Sequence, residues 1–269
     1  MQDSAEKYID ISSFVMYFKI RHPQFGEGQN DCQEFIRILI DDISKELSDI
    51  KIKTKYKELD FDYKKSKIIL KKEFDEYYNK IENSFLLGMF YSEIITKFTC
   101  SCKLITYSFS KIMDIPLLIP KNKNTMNIEY LLQIYFNSEE VEFNSLCPNC
   151  TKYSKHLKES KFSFLPDLLI LSIQRIDWNN NTKNTTEIKY SEDLDISSLI
   201  DEDFIKKSEA FYNLFAVINH SGNIKFGHYY SYINFKENIW YEFNDSVVTK
   251  IDNLKHNFEE VYILFYTKN

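Results

Sequence analysis

The sequence predicts an α+β fold, helical at its start and mainly antiparallel β thereafter, and three observations predict it. Between Asp31 and Leu47 the apolar residues recur three and four positions apart, the period of a helix. From Ile94 onward the pattern changes to short β-branched and aromatic runs of strand length. Two close cysteine pairs, Cys100 with Cys102 and Cys147 with Cys150, fall at turns within that strand region. The 269 residues include 43% hydrophobic and 16% aromatic side chains, with 22 Phe and 19 Tyr, which is enough apolar material for a packed core and excludes a disordered chain. A single domain with sub-lobes accommodates this length.

Taken in order, Ile9, Ile11, Phe14, Val15, Phe18 and Ile20 predict a short helix that ends at Pro23, with a loop through Gly26 and Gly28. The helix over 31–47 comes next, with Phe35, Ile36, Ile38, Leu39, Ile40, Ile43 and Leu47 on its apolar stripe. Residues 50–83 are rich in Lys, Glu and Tyr and read as solvated helical connections. Strands are expected at 94–99 and 104–107, an extended segment at 114–120, a helix at 127–136 and a buried strand over 165–176. The last third reads as strands at 212–220, 228–235, 240–243 and 261–266.

Lys and Arg number 34 against 40 Asp and Glu, a net charge of −6, so the chain carries no basic footprint for nucleic acid. That balance is compatible with a basic protein partner. No apolar run reaches the roughly 18 residues that span a bilayer, and the first residues are polar and acidic, unlike a signal sequence. No membrane association is expected, and an intracellular location, cytoplasmic or nuclear, is.

Five cysteines, four of them in two close pairs, suit thiols or metal ligands better than a disulfide framework. Four thiolates from two hairpin tips can form a tetrahedral structural zinc site. The Cys147-Pro-Asn-Cys150 spacing is the usual one for such a ligand pair, whereas Cys100-Ser-Cys102 is tighter. The alternative is that these are small hydrophobic side chains or a vestigial site. Thiolates held by a metal are not free nucleophiles, so catalysis by these four is not expected.

His228 opens an aromatic strand directly after Gly227, and Trp240–Phe243 is a second strand that ends in Asn244-Asp245. If the two strands pair, Asn244 or Asp245 can accept the ring proton of His228 and fix its tautomer, the base-and-orienter half of a Cys-His-Asn/Asp triad. A structural hairpin capped by an Asn-Asp turn fits the same spacing.

Four stretches in order decide between these readings by resemblance. Gly28-Gln29-Asn30-Asp31-Cys32-Gln33-Glu34-Phe35 resembles the glutamine box of the ubiquitin-specific proteases, the C19 group of cysteine peptidases. The Cys147–Cys150 knuckle and the Leu165–Ile176 strand are similar to that family's knuckle and its adjoining strand. Tyr212–Gly222, Gly227-His228-Tyr229, Trp240–Asp245 and Tyr262–Tyr266 resemble its histidine box. The likeness runs from about residue 12 to residue 266.

The resemblance implies a papain-like fold with a helical thumb over 1–90, β fingers with a zinc knuckle over 91–165 and a β palm over 166–269, monomeric and gripping ubiquitin. It implies His228 as general base and Asn244 as its orienter, with Asp245 as a second candidate, Gln29 and Asp31 lining the cleft or binding the ubiquitin tail, and Cys100, Cys102, Cys147 and Cys150 as zinc ligands. It also implies a cysteine box upstream of the glutamine box, and residues 1–28 contain no Cys. Either a truncated ubiquitin carboxyl-terminal hydrolase or a catalytically inactive ubiquitin-binding pseudoenzyme is therefore expected. A zinc-stabilised interaction module unrelated to ubiquitin explains only the cysteines. Cys32 is the one unpaired Cys; a helix start favours a thiolate there, while the plain reading is a small buried side chain.

Overall fold

The structure is a computed structural model that describes residues 9–269 except 27, 49, 51–61, 83, 122–123, 144, 178, 225 and 237–238. The first part of the expected 50–83 connection therefore lies outside the described residues.

The helical lobe comprises α1 (Ser12–Arg21), α2 (Cys32–Leu47), α3 (Lys67–Ile81) and α4 (Phe85–Phe90). Each of the last three starts on a side-chain cap that satisfies an otherwise orphaned amide. Asp31 accepts from the Gln33 amide at 2.7 Å, Ser66 from Ile69 at 3.4 Å and Ser84 from Leu86 at 3.3 Å. Phe18 of α1 packs its ring 5.1 Å from Phe35 of α2 and 5.4 Å from Phe25, which fixes the two helices against each other. The α3 segment, expected to be a solvated connection, instead buries Leu70 and Phe74 against Ile95 and Phe109. Two apolar residues four positions apart suffice to seat a helix whose other faces are charged.

The fingers are a four-stranded antiparallel sheet in the order β2-β1-β6-β5. Along the chain come β1 (Ser92–Cys100), β2 (Ile105–Ile112), β3 (Asp114–Leu118), β4 (Thr125–Asn127), α5 (Ile128–Tyr135), β5 (Glu139–Glu142) and β6 (Lys155–Phe164). Glu93 on β1 is buried and meets Lys71 of α3 at 2.8 Å and Lys111 of β2 at 3.4 Å, so an ion network ties helix to sheet.

The expected strand over 165–176 begins only at Leu168, beyond Pro166, which cannot donate to a ladder, and it breaks at Arg175. The rest of the chain forms β7 (Leu168–Gln174), β8 (Ile176–Asp177), β9 (Thr182–Lys183), β10 (Glu187–Lys189), β11 (Asp193–Asp195), β12 (Phe211–Gly222), β13 (Gly227–Lys236), β14 (Ile239–Asn244), β15 (Val247–Ile251) and β16 (Val261–Lys268). The palm sheet runs β15-β14-β13-β12-β16-β7-β3, with β11 alongside β12. Its pairings are antiparallel apart from β3 on β7. Thus β3, which lies between finger strands in sequence, belongs to the palm. Leu169, Ile170, Leu171 and Ile173 of β7 are all buried, which explains an apolar run without alternation: both faces of this central strand are covered.

Arg175, just past β7, is 1% exposed. Its guanidinium donates to four backbone carbonyls, those of Val261 at 2.6 Å, Asn184 at 3.0 Å, Thr186 at 2.9 Å and Phe258 at 2.8 Å. Burial holds its pKa down at about 10, and nearby Glu259 and Glu260 offset part of that cost.

Candidate active site and cysteine cluster

The β13–β14 hairpin brings His228 and Asn244 together. Ser231 pairs with Phe243 in the ladder, so Asn244 lies one step beyond the end of the paired segment, on the side toward which β13 begins at Gly227. Across the gap His228 Nε2–H donates to Asn244 Oδ1 at 2.7 Å. With that proton committed, Nδ1 carries the free lone pair and is the nitrogen able to take a proton from a neighbouring group. The imidazole is exposed, so a group brought to it from solvent or from a bound partner can reach Nδ1. Asp245, the second candidate, sits in the turn between β14 and β15 at a left-handed φ of 51°, a conformation Asp tolerates, and is exposed.

The other side of the hairpin is built around glycine. Gly222 has φ +79°, and a Cβ there would lie 2.4 Å from the Phe226 carbonyl oxygen. A Cβ on Gly227 would lie 2.0 Å from Nε2 of His220, so what Gly227 admits is chiefly the ring of a second histidine. His220 is buried, and burial, then the nearby Lys183, push its pKa down to about 4.

The start of α2 faces this hairpin. Tyr262 of β16 donates its phenol to Asp31 Oδ2 at 2.6 Å, while Asp31 Oδ1 caps the helix. Cys32 packs with Ile36, Tyr229 and Tyr262. Burial, then the Asp31 charge, push its thiol far above the ordinary cysteine range, with Tyr229 acting in the opposite direction. The helix start does not rescue a thiolate here, because desolvation outweighs the dipole. Gln29 lies exposed in the loop before α2.

Between α2 and the fingers–palm junction opens a cleft of about 640 Å³, lined by Asp31, Glu34, Arg37 and Asp41 with Tyr91 and Lys111 opposite. Three carboxylates make its α2 wall acidic. Beneath it, Gln33 and Ser172 Oγ both donate to the buried carboxylate of Asp114, at 2.5 and 2.6 Å, which joins α2 to β3 and β7. Sequence reasoning singled out none of Glu34, Gln33 and Asp114. The first two sit inside the glutamine box; Asp114 offered no local signal.

At the fingertips the β1–β2 and β5–β6 turns bring Cys100, Cys102, Cys147 and Cys150 together, with their sulfurs within 4.8 Å of one another. This is a donor set for a tetrahedral zinc ion, so the one-residue spacing of the first pair is no obstacle. The Asn149 side-chain amide, at 3.4 Å, and then the Leu104 amide hold Cys102 down at about 6. Cys147 is lowered too, first by the Cys150 backbone amide. Against the Lys152 amide, which works to lower it, burial and its cysteine neighbours push Cys150 up to about 11. Four sulfurs converging within 4.8 Å of one another form a site that a cation would complete.

A model of the ubiquitin carboxyl-terminal hydrolase family matches residues 1–266, and the chain belongs to that family. Ubiquitin carboxyl-terminal hydrolase 2 of Gallus gallus is 26% identical to it over 276 residues, covering 98% of this chain and 75% of the relative. The Homo sapiens protein of the same name is also 26% identical, over 98% of this chain and 44% of its own length. A probable ubiquitin carboxyl-terminal hydrolase of Acanthamoeba polyphaga mimivirus is 30% identical over 74% of this chain and 44% of the relative. The chain thus spans less than half the length of several relatives it matches. Among solved structures, the SAGA DUB module of Ubp8, Sgf11, Sus1 and Sgf73 superposes with a TM-score of 0.74 at 20% identity, covering 98% of this chain and 56% of that one. The same module bound to monoubiquitin gives 0.68 at 21%, over 94% and 51%. The α+β architecture of thumb, fingers and palm is therefore that of the ubiquitin-specific proteases.

Proposed function

We propose that this chain grips ubiquitin and presents His228 as the general base for thiol-dependent cleavage after ubiquitin's C-terminal glycine. The observation that carries the reading is the 2.7 Å bond from His228 Nε2–H to Asn244 Oδ1, which leaves Nδ1 free to accept a proton. Asn244 orients the ring, and Asp245 is the neighbouring polar group of the same turn. Asp31 lines the α2 cleft, whose three carboxylates, Glu34 included, suit a basic peptide tail, and Gln29, exposed in the loop just before α2, is read as a further contact for that tail. Cys100, Cys102, Cys147 and Cys150 would hold a structural zinc, which would tie the fingertips together.

In such a reaction a cysteine thiolate attacks the carbonyl carbon, His228 having taken the thiol proton, and the same imidazolium then protonates the departing amine. The five cysteines of these residues are otherwise engaged: four cluster at the fingertips, and Cys32 is a half-buried thiol whose ionisation burial and the Asp31 charge oppose. That observation favours a second reading, in which the 269 residues act as a ubiquitin-binding scaffold without chemistry of their own. An intracellular location and a monomeric state accompany both readings.

Two measurements on the purified chain test them. Titration with ubiquitin should show saturable binding, and its absence refutes both. Incubation with ubiquitin carrying a thiol-reactive C-terminal group should give no adduct under the scaffold reading. An adduct that persists in Cys32→Ala would expose a fingertip thiol, while one lost in that variant would make Cys32 the nucleophile.

A further inference from the structure

The backbone that carries His228 is held in place by a ring. His220 and Tyr229 face each other across β12 and β13, with ring centroids 4.6 Å apart. Tyr262 on β16 completes the group, 5.8 Å from His220 and 5.7 Å from Tyr229. Both tyrosines lean on the start of α2, Tyr262 through its 2.6 Å bond to Asp31 and Tyr229 through its contact with Cys32. On its other side the imidazole lies against Gly227 with no room for a methyl group.

His220 is an expensive choice for a packing element. It is 3% exposed, and among the described residues nothing bonds its Nδ1. A phenylalanine of similar shape would leave no polar atom unsatisfied. Burial and Lys183 keep the ring neutral, and only a neutral ring can lie in this apolar setting. A flat, rigid and uncharged side chain pressed on a glycine fixes the next peptide plane, and that plane sets the direction of the His228 side chain.

We propose that His220 is a positioning residue for His228: braced by Tyr229 and Tyr262 against the start of α2, its ring wedges the Gly227 backbone and holds His228 where it meets Asn244. The proposal rests on the reading of His228 as general base. Its test uses neither ubiquitin nor a nucleophile, so the wedge can fail while ubiquitin binding stands, and binding can fail while the wedge stands.

The test is nuclear magnetic resonance on the ¹⁵N-labelled chain, following the His228 Nε2–H proton, which is visible while the Asn244 bond protects it from exchange with water. In His220→Ala its exchange rises about tenfold or more, as expected for a lost hydrogen bond. His220→Phe retains the wedge and the signal. Tyr262→Phe removes only the brace to Asp31 and accelerates exchange severalfold. Leu131→Ala, a buried core variant on α5, lowers stability yet keeps the signal. Retention of the signal in His220→Ala, its loss in His220→Phe or Leu131→Ala, or an unchanged rate in Tyr262→Phe overturns the proposal. Should His220→Ala fail to fold, the His220→Phe and Tyr262→Phe pair decides the matter.

Discussion

The phenol of Tyr262 and the carboxylate of Asp31 meet at 2.6 Å, although 231 positions separate them in the chain. The last strand of the palm thereby holds the first turn of α2, and Asp31 performs two tasks at once. Burial, then the Asp31 charge, drive the phenol's pKa well above its ordinary value, so the proton stays on Tyr262 and the bond persists at any physiological pH. Tyr262→Phe should cost about 1 kcal/mol, the net worth of one hydrogen bond. Asp31→Ala should cost about 2 kcal/mol, because the helix cap goes as well and the phenol is left without a partner. Urea unfolding of the two variants checks the difference; equal losses would mean that the cap contributes nothing.

His220 makes stability depend on pH in a defined window. Its folded pKa of about 4 lies below the 6.5 of a free histidine, so the unfolded chain takes up a proton that the folded chain refuses. Stability should therefore fall as pH drops from about 6.5 to about 4, by at most about 3 kcal/mol for this one group. The same acid titration on His220→Phe should be flatter across that window. Parallel curves for the two proteins would show that His220 titrates normally.

The cysteine cluster predicts an order of reactivity. In the metal-free chain at neutral pH, Cys102 is largely thiolate and half-buried, so iodoacetamide should alkylate it first. Cys32 should react last. One equivalent of zinc should protect all four fingertip thiols and release protons, and Cys147→Ser should abolish that protection. Peptide mapping by mass spectrometry reads the order directly. Alkylation of Cys102 unaffected by zinc would remove the metal site.

The Lys71–Glu93–Lys111 network joins α3 to the fingers in a largely dry setting. Glu93→Ala leaves two ammonium groups short of their partner and should cost about 3 kcal/mol. Burial acts to lower the Lys71 pKa, but the bonds to Asp75 and Glu93 outweigh it and the net shift is upward. The stabilisation from Lys71 is thus present below the pKa of a free lysine and is lost as pH rises through the higher folded value. A thermal melt of Glu93→Ala matching the parent would show that the network is neutral.

The α2 stripe, the strand runs and the two cysteine pairs were legible because helix and strand periods and metal-ligand spacings are local properties. So was the hairpin that unites His228 and Asn244, whose register is set by a short connection. Non-local consequences were not legible. The departure of β3 from the finger strands into the palm depends on parallel pairing with β7, which no local pattern encodes. For Cys32 the sequence left a helix-favoured thiolate beside a plain packed side chain, and the choice rests on the burial that Tyr229 and Tyr262 impose from far along the chain. The wedge at Gly227 likewise needed coordinates, since a glycine before a histidine does not announce which side chain will approach it.

Arg175 reads no side chain at all: its four acceptors are peptide oxygens, of Asn184, Thr186, Phe258 and Val261. Because every residue type supplies that atom, Asn184 and Thr186 serve Arg175 through the path of the chain rather than through their letters, whereas Lys183 just before them acts through its side chain, on the His220 and Gly222 carbonyls.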